Sequence, residues 1–391
     1  MNPLQATLLD ALRVFAAQMV LIGHIYSIVL YPGHSLGIGD LGVVIFFVLS
    51  GFLIVYTTLN RLEGPGYGLR GYLTDRFCRV FVPYLPALLC ILAMDSAVRA
   101  WAPTQIYGDY YKVRHFVASL LMLQQHPAGL FIDQIMGLSV FKLATFGSAR
   151  PLWTVAVEWW LYVTFGLLLF GFQGGAQTWP RVLALMVALP VPLFNMVAGT
   201  GPGLSLLWCM SGGLAWLYWR AKKAPGVPSP SVGVKWVLRG VFGVVLLLFV
   251  ARLAWTGWLE HRASFERLIF YDFNLYVLII IGCAALFLLR MDRKDGARNR
   301  VTRFAADYSY SLYLIHYSFI VLLHAFGLFT GKPVLDFLIF FVACNVVSVV
   351  FWFLFERHYR RVAAFLSGRR SLPIASGGKA VHRPVTESPR R

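Results

Sequence analysis

The sequence carries little charge for its length. Only 13% of its 391 residues are Asp, Glu, Lys or Arg, whereas 58% are hydrophobic and 16% are aromatic. Soluble domains contain about 25% charged residues, so this composition excludes a soluble protein of this size. Acidic residues are the scarcest charged group, with 17 against 35 basic residues, and the formal net charge is +18.

Cysteine is scarce as well, and two further features are missing. The five cysteines stand singly, which argues against a disulfide framework and against a metal site. They are Cys78, Cys90, Cys209, Cys283 and Cys344. No internal repeat is evident, although transporters built from two related halves show one. The first apolar segment is too long for a cleavable signal peptide and lacks a basic leader, so we expect none.

Long apolar runs dominate the chain instead. About ten of them reach the length, about 20 residues, that crosses a hydrocarbon core of roughly 30 Å as a helix. We predict spans at residues 8–30, 41–58, 80–98, 152–172, 182–199, 204–219, 236–254, 269–289, 304–327 and 334–355. The sequence therefore predicts an all-α polytopic integral membrane protein.

Residues 116–146 do not fit this pattern. The segment is moderately apolar but is interrupted by His126, Pro127 and Asp133. Non-helical backbone is tolerated at membrane depth only where protein buries it. We therefore predict a partly helical loop or a re-entrant segment here.

The basic residues indicate the topology. Most of them fall in one alternate set of loops, which the positive-inside rule assigns to the cytoplasm, and both termini then lie there. Topology accounts for the net charge, so a nucleic-acid partner is not expected. We predict a transmembrane domain over residues 1–366. Residues 367–391, rich in Ser, Pro, Gly and Arg, are predicted to form a disordered basic cytoplasmic tail.

The first span carries two ionisable residues, Arg13 and His24, in the stretch RVFAAQMVLIGH. At 100° per residue this spacing returns to within about 20° of the same helix face, and a rise of 1.5 Å per residue separates the side chains by about 16 Å. Ionisable groups inside a membrane cost about 2.5–3.5 kcal/mol each and usually serve function. We interpret both as catalytic candidates. The alternatives are a snorkelling Arg13 and a packing His24.

A carboxylate, Glu158, lies in the fourth span within PLWTVAVEWWLYV. Its predicted depth, about two turns below the outer surface, is also that of His24. A carboxylate there can orient an imidazole and stabilise its protonated form, as a general base requires. We therefore count Glu158 as a catalytic candidate. The alternative is a structural ion pair with Arg150 or Arg99.

Two arginines, Arg76 and Arg79, precede the third span in DRFCRVFVPY. Three residues apart, they share one helical face at the predicted cytoplasmic border. Guanidinium pairs bind phosphate or diphosphate with bidentate hydrogen bonds, and Arg13 lies at a similar level. We predict that the three bind the phosphates of a cytoplasmic ligand. The alternative for Arg76 and Arg79 is the ordinary basic anchor of an inner loop.

Four further residues are candidates for substrate contact. Asp40 stands at the outer entrance of the second span, where it can equally be the N-cap of the helix. Ser50 lies in mid-membrane, and Trp153 lies at the start of the fourth span. His316, in the ninth span, either lines an internal cavity or bonds to another helix. The glycines Gly39, Gly42 and Gly51 are expected to allow close helix packing.

These motifs occur together in one family. The chain resembles the acyltransferase 3 family of integral-membrane acyltransferases through LDALRVFAAQMVLIGH, FFVLSGFLI, DRFCRVFVPY, PLWTVAVEWWLYV and YSYSLYLIHYSF, in that order. The Arg-to-His spacing of the first span is the most characteristic of these. One departure is the absence of the proline that often follows the histidine of the ninth span.

The resemblance implies a function. Members transfer an acyl group, usually acetyl, from cytoplasmic acyl-coenzyme A to a hydroxyl on an extracytoplasmic acceptor, commonly a glycan or glycolipid. The resemblance also implies a location in the cell inner membrane, with acetyl-CoA as the donor substrate and no tightly bound cofactor. His24 would act as general base or carry the acyl group covalently, with Glu158 setting its basicity.

Two alternatives stay open from the sequence. The acceptor can instead be a small secondary metabolite such as a macrolide. A glycan or lipid exporter without acyl transfer would also need several spans and a polar interior, although the Arg and His pair and the missing repeat argue against it. The oligomeric state is not predicted.

Overall fold

The structure is a computed structural model of the chain. It describes residues 1–34, 37–102, 109–124, 126–137, 143–171, 178–198, 200–223, 273–289 and 299–368, with a few single positions between 236 and 250. Most of the predicted seventh span, at 236–254, and nearly all of the predicted tail therefore lie outside the described residues.

Every regular element in these ranges is helical. The helices are α1 (Pro3–Ile25), α2 (Ile38–Leu62), α3 (Leu69–Trp101), α4 (Val113–Leu120), α5 (Pro127–Met136), α6 (Trp153–Phe170), α7 (Thr178–Ala188), α8 (Pro190–Val197), α9 (Leu204–Lys223), α10 (Phe273–Leu289), α11 (Arg300–Ala325), α12 (Pro333–Leu354) and α13 (Tyr359–Leu366). A π-helical turn (Tyr26–Leu30) follows α1, and 3₁₀ turns precede α6 (Arg150–Leu152) and α13 (Glu356–His358).

The predicted fold class, an all-α polytopic membrane protein, is confirmed. Six helices among the described residues are long and apolar enough to cross a membrane. They cover Pro3–Leu30, Ile38–Leu62, Leu69–Trp101, Arg150–Phe170, Trp179–Val197 and Pro333–Leu366. Helices α9, α10 and α11 occupy three more of the predicted positions but are not among these six. The count of ten spans and the cytoplasmic termini stay predictions.

Two helices differ from their predicted bounds. α3 begins at Leu69 rather than near residue 80, so Arg76 and Arg79 lie inside the helix and not before it. The predicted fifth span is divided between α7 and α8, because Pro190 and Pro192 lack the N–H groups that a continuous helix would need. The segment 116–146 contains the end of α4 and all of α5, so it is partly helical as predicted.

Helix α1 is built to be continuous. Asn2 and Gln5 form a capping box in which each side chain accepts the backbone N–H of the other, and Pro3 occupies the first helical position. The helix then runs without a break through Arg13 and His24, so the predicted 16 Å separation, at about 1.5 Å per residue, applies. Only Ile25 separates His24 from the π-helical turn, a feature that is frequent at functional sites.

Glycines set the packing around α2. This helix packs against α1 on one side and α9 on another, while α11 contacts α1, α3 and α12. A Cβ on Gly42 would lie 2.5 Å from the Ala16 carbonyl oxygen of α1, and one on Gly51 would lie 2.3 Å from the Trp208 carbonyl oxygen of α9. The predicted close packing is therefore confirmed at both positions. At Gly39 a Cβ would find only ordinary contacts with α1.

We expect Gly51→Ala to destabilise the bundle, because the added methyl group collides with the backbone of α9. Overpacking of this kind costs about 1–3 kcal/mol. Thermal unfolding of the detergent-solubilised protein measures the effect. Gly213→Ala is the matched control, since a Cβ there meets nothing within 4 Å. Equal melting temperatures for the two variants would contradict the packing described.

Candidate active site

The aromatic rings of His24, His316 and Tyr317 form a histidine cluster between α1 and α11. The His24 and His316 rings stack with centroids 5.2 Å apart and an interplanar angle of 29°. The Tyr317 ring meets His24 edge-on at 4.9 Å. The charge of Arg150, on the turn before α6, also acts on His24. The structure thus joins two histidines from separate helices whose contact the sequence pattern does not predict.

His316 is held by its own helix. Its Nδ1 lies 2.9 Å from the Leu312 carbonyl oxygen and 3.0 Å from the Tyr313 carbonyl oxygen. The residue is 1% exposed, and its Nε2 is buried without a hydrogen-bond partner among the described residues. The ring is therefore fixed in orientation while one nitrogen stays available.

Four side chains, Ser50, Glu158, Tyr162 and Trp208, form a carboxylate network between α2, α6 and α9. The Tyr162 hydroxyl donates to Glu158, and Ser50 bonds to the same carboxylate. The Ser50 and Tyr162 hydroxyl oxygens are 2.9 Å apart, and Trp208 Nε1 donates to Ser50 at 3.1 Å. Ser50 is thus occupied in holding Glu158.

The structure does not pair Glu158 with His24 as expected. On α11, His24 contacts His316 and Tyr317, whereas the charge of Glu158 acts on Tyr310 and Tyr313. The hydrogen bonds of Glu158 go to Tyr162 and Ser50, and neither of these residues lies in the histidine cluster. Hydropathy locates a residue only to within a turn or two, and Ser50 and Tyr162 supply nearer hydrogen-bond donors to the carboxylate.

The alternative ion-pair partners for Glu158 also differ from expectation. The cations that act on this carboxylate are Arg79 and Arg13. Arg150 lies near His24 instead, and the guanidinium of Arg99 stacks on the Tyr111 ring at 4.6 Å. Glu158 therefore belongs to the arginine level of the bundle.

Arg13, Arg76 and Arg79 form an arginine cluster around this network. Arg13 and Arg79 act on Glu158, and the charge of Arg76 acts on Tyr162. The Arg76 guanidinium lies 5.8 Å from the Tyr72 ring centre, and its Nε is buried without a hydrogen-bond partner among the described residues. The structure thus brings the three predicted phosphate-binding arginines to one region.

Arg79 already has a carboxylate partner, which the sequence analysis missed. Its Nη1 lies 2.5 Å from Glu356 Oε1. The other oxygen of Glu356 accepts from the Ser311 backbone N–H at 3.0 Å and from the Ser311 hydroxyl at 2.6 Å. The available signal was an acidic residue at the end of the last apolar span, directly before the basic run Arg357–Arg361.

The rings of Tyr310 and Tyr359 also flank Arg79. The guanidinium lies 5.5 Å from the first ring centre and 4.9 Å from the second, within range of a cation–π interaction. The Tyr310 hydroxyl is buried without a hydrogen-bond partner in the part of the chain that the structure describes. Two buried hydrogen-bond donors, the Tyr310 hydroxyl and the Arg76 Nε–H, therefore have no partner among the described residues.

The remaining substrate candidates are Asp40 and Trp153. Asp40 is not the N-cap of α2, since Gly37 takes that position with φ of 65°, which glycine adopts readily. Asp40 lies in the first turn, where the helix dipole favours a negative charge. Its charge acts on Tyr313. The Trp153 ring packs over Gly201, where a Cβ would lie 2.6 Å from the ring.

None of the residues named in these clusters lines an apolar cavity of about 510 Å³. Residues of α1, α2, α9 and α10 line it, including Leu12, Phe52, Leu214 and Phe287. At 100° per residue, its α2 lining residues lie on a different face from Ser50.

Within the described ranges, no three His, Cys, Asp or Glu residues are grouped to hold a metal ion.

We expect Glu356→Gln to destabilise the protein, because it removes the buried carboxylate that is the hydrogen-bonded ionic partner of the Arg79 guanidinium. Breaking such a pair costs about 3–5 kcal/mol. Thermal unfolding in detergent measures the loss. Asp75→Asn is the control, since its partner Arg61 is 48% exposed and such pairs contribute about 0–1 kcal/mol. Equal losses in both variants would contradict a buried structural pair.

Comparison with known proteins places the chain in a family. Residues 7–357 match the family Acyl_transf_3, described as an acyltransferase domain. Nodulation protein 10 of Rhizobium leguminosarum bv. viciae is 29% identical over 235 residues, which is 54% of this chain and 59% of that protein. An O-acetyl transferase of Shigella phage Sf6 is 24% identical over 196 residues, 48% of this chain and 53% of that protein.

A protein of Staphylococcus aureus strain COL, named as a proposed O-acetyltransferase, is 24% identical over 343 residues, 81% of this chain and 51% of that protein. The chain thus spans little more than half the length of these relatives. No solved structure matches it. Because the family match covers nearly all of the sequence, the chain belongs to the acyltransferase 3 family.

Proposed function

We propose that the protein is a membrane-embedded O-acyltransferase. It moves an acyl group, acetyl in our proposal, from acyl-coenzyme A in the cytoplasm to a hydroxyl of an extracytoplasmic glycan or glycolipid. Its location in this proposal is the inner membrane, with both termini in the cytoplasm. The partners are acyl-CoA, the acceptor and the lipid bilayer.

One observation carries the proposal. Helix α1 holds a guanidinium, Arg13, in the arginine cluster and an imidazole, His24, in the histidine cluster, about 16 Å apart at 1.5 Å per residue. Acyl-CoA matches this arrangement of a cationic group at one level and an imidazole at another. It has several phosphates at one end and an uncharged arm that carries the thioester at the other. Phosphates bind guanidinium groups by charge-assisted hydrogen bonds.

The donor binds at the arginine cluster in this proposal. The buried Arg76 Nε and Tyr310 hydroxyl lack protein partners among the described residues, and phosphate oxygens are the acceptors such donors need. Arg13 and Arg79 attract the same phosphates by charge.

The acyl group reaches the histidine cluster in this proposal. There His24 acts on it as general base or as covalent carrier, because a neutral imidazole can do either. Glu158 does not set the basicity of His24 directly; it holds the arginine cluster through charge, with Ser50 and Tyr162 bonded to it. Asp40, Trp153 and His316 form the acceptor side.

The names of the relatives support transfer to oxygen. Those of Shigella phage Sf6 and Staphylococcus aureus are named for O-acetyl transfer, which makes a hydroxyl the proposed acceptor here. The choice of a glycan or glycolipid over a small metabolite follows the family resemblance.

We expect Arg76→Gln to weaken acetyl-CoA binding about tenfold or more, because a hydrogen bond to a charged group contributes about 1.5–3 kcal/mol. Isothermal titration calorimetry on protein in nanodiscs measures the affinity. Arg70→Gln, an exposed arginine of the same helix, is the matched control and should bind normally. Unchanged affinity in Arg76→Gln would place the donor phosphates elsewhere.

We expect His24→Ala to abolish acyl transfer while folding stays intact, because the variant has no imidazole to act on the acyl group. Inverted membrane vesicles of a gene-deletion strain that expresses each variant are supplied with acetyl-labelled acetyl-CoA. Label in alkali-labile esters is then measured in the glycan, lipid and small-molecule fractions. His34→Ala, an exposed histidine after α1, is the control.

The same assay separates the alternatives. Label in the small-molecule fraction alone would replace the glycan acceptor with a secondary metabolite. An exporter would incorporate no label with the wild-type protein. Near-normal transfer by His24→Ala would refute the role of His24.

A further inference from the structure

The hydrogen bonds of His316 fix its tautomer. Both neighbours of Nδ1, the carbonyl oxygens of Leu312 and Tyr313, can only accept a hydrogen bond. A neutral imidazole has one N–H donor and one lone-pair acceptor, so Nδ1 carries the proton. The lone pair of the ring is therefore on Nε2.

That lone pair is buried and unused in the described structure. His316 is 1% exposed, and Nε2 has no hydrogen-bond partner among the described residues. An unsatisfied buried polar group costs about 1–3 kcal/mol. The His316 ring stacks on His24, and its own helix places the Tyr313 ring 6.0 Å away. A buried acceptor atom beside His24 thus lacks the hydrogen-bond donor that it requires among the described residues.

We propose that Nε2 of His316 is the base that takes the proton from the acceptor hydroxyl. The inference rests on the acyl transfer proposed above and names a second catalytic imidazole for it. The acceptor O–H proton goes to Nε2 while its oxygen forms a bond with the acyl carbon. The bond from that carbon to the sulfur of coenzyme A breaks, and the leaving thiolate takes up the proton, so that both imidazoles end neutral.

The backbone of α11 supports this role. When Nε2 gains a proton, the Nδ1–H becomes part of an imidazolium, and its hydrogen bonds to two carbonyl oxygens become charge-assisted and stronger. The Tyr313 hydroxyl is not a competing base, since it donates to the Pro151 carbonyl oxygen at 3.2 Å and lies 2.6 Å from the Thr154 hydroxyl. In this scheme the His24 ring, which stacks on the His316 ring, contacts the acyl group.

Two substitutions separate catalysis from structure. His316→Asn places an amide N–H where Nδ1 lies, so it can keep the bonds to the helix carbonyls but has no group at Nε2. His316→Gln reaches the position of Nε2 with a group that hydrogen-bonds but does not accept a proton at neutral pH. A purely structural His316 would tolerate Asn, whereas a base tolerates neither.

The test uses full-length protein in inverted vesicles with labelled acetyl-CoA and the endogenous acceptor. We expect both variants to lose kcat for transfer by about a hundredfold or more, the contribution of general-base catalysis. The KM and Kd for acetyl-CoA and the melting temperature should stay near wild type. His324→Ala, a histidine at the end of the same helix, is the control and should transfer normally.

The outcomes are distinct. Transfer by His316→Asn at the wild-type rate overturns the inference alone, because the variant lacks the base. Substantial transfer by His316→Gln also overturns it, because hydrogen bonding without proton transfer would then suffice. Failure of the wild-type protein to incorporate label overturns the proposed function and this inference with it.

Discussion

The buried ion pair between Arg79 and Glu356 is the constraint on which the site depends. A lone charge inside an apolar bundle is costly, and a pair persists only if its remaining hydrogen bonds are also satisfied. Here Ser311 meets the second carboxylate oxygen, so one acidic residue after α12 fixes both α3 and α11. The position of α11 matters because that helix carries Tyr310 beside Arg79 and both His316 and Tyr317 beside His24.

Helix α11 connects the levels of the site along one stripe. Tyr310, Tyr313 and Tyr317 are spaced i, i+3 and i+7, which places them on one helix face. The first flanks Arg79, the second bonds to the start of α6, and the third meets His24. The stripe covers about 10 Å at 1.5 Å per residue. The arginine and histidine clusters are therefore held at a fixed separation by α11 as well as by α1.

The positions of the helices could be predicted from the sequence better than the contacts between them. Apolar runs located the helices, and the helical period placed Arg13 and His24 on one face of α1, because both properties are local to one segment. The partners of Glu158 depend on how α6 is rotated against α2 and α9, which hydropathy does not encode. The structural role of Glu356 could not be predicted for a related reason. Its ion-pair partner, Arg79, lies far away in the chain, so the pairing becomes visible only in the fold. His316 was found as a polar residue in an apolar span, but its pairing with His24 required the fold.

The separation of the two clusters follows from the energetics of charge in a membrane. Phosphates lose hydration at great cost unless guanidinium groups replace the water, so a polyanionic donor is stable only where such groups gather. The proposed reacting bond, in contrast, is uncharged and can enter a dry region. Dryness there makes each remaining polar contact stronger, which suits proton transfer to a fixed imidazole. A chain that gathers Arg13, Arg76 and Arg79 at one level and places His24 about 16 Å away, at 1.5 Å per residue along α1, therefore meets both requirements in the proposed scheme.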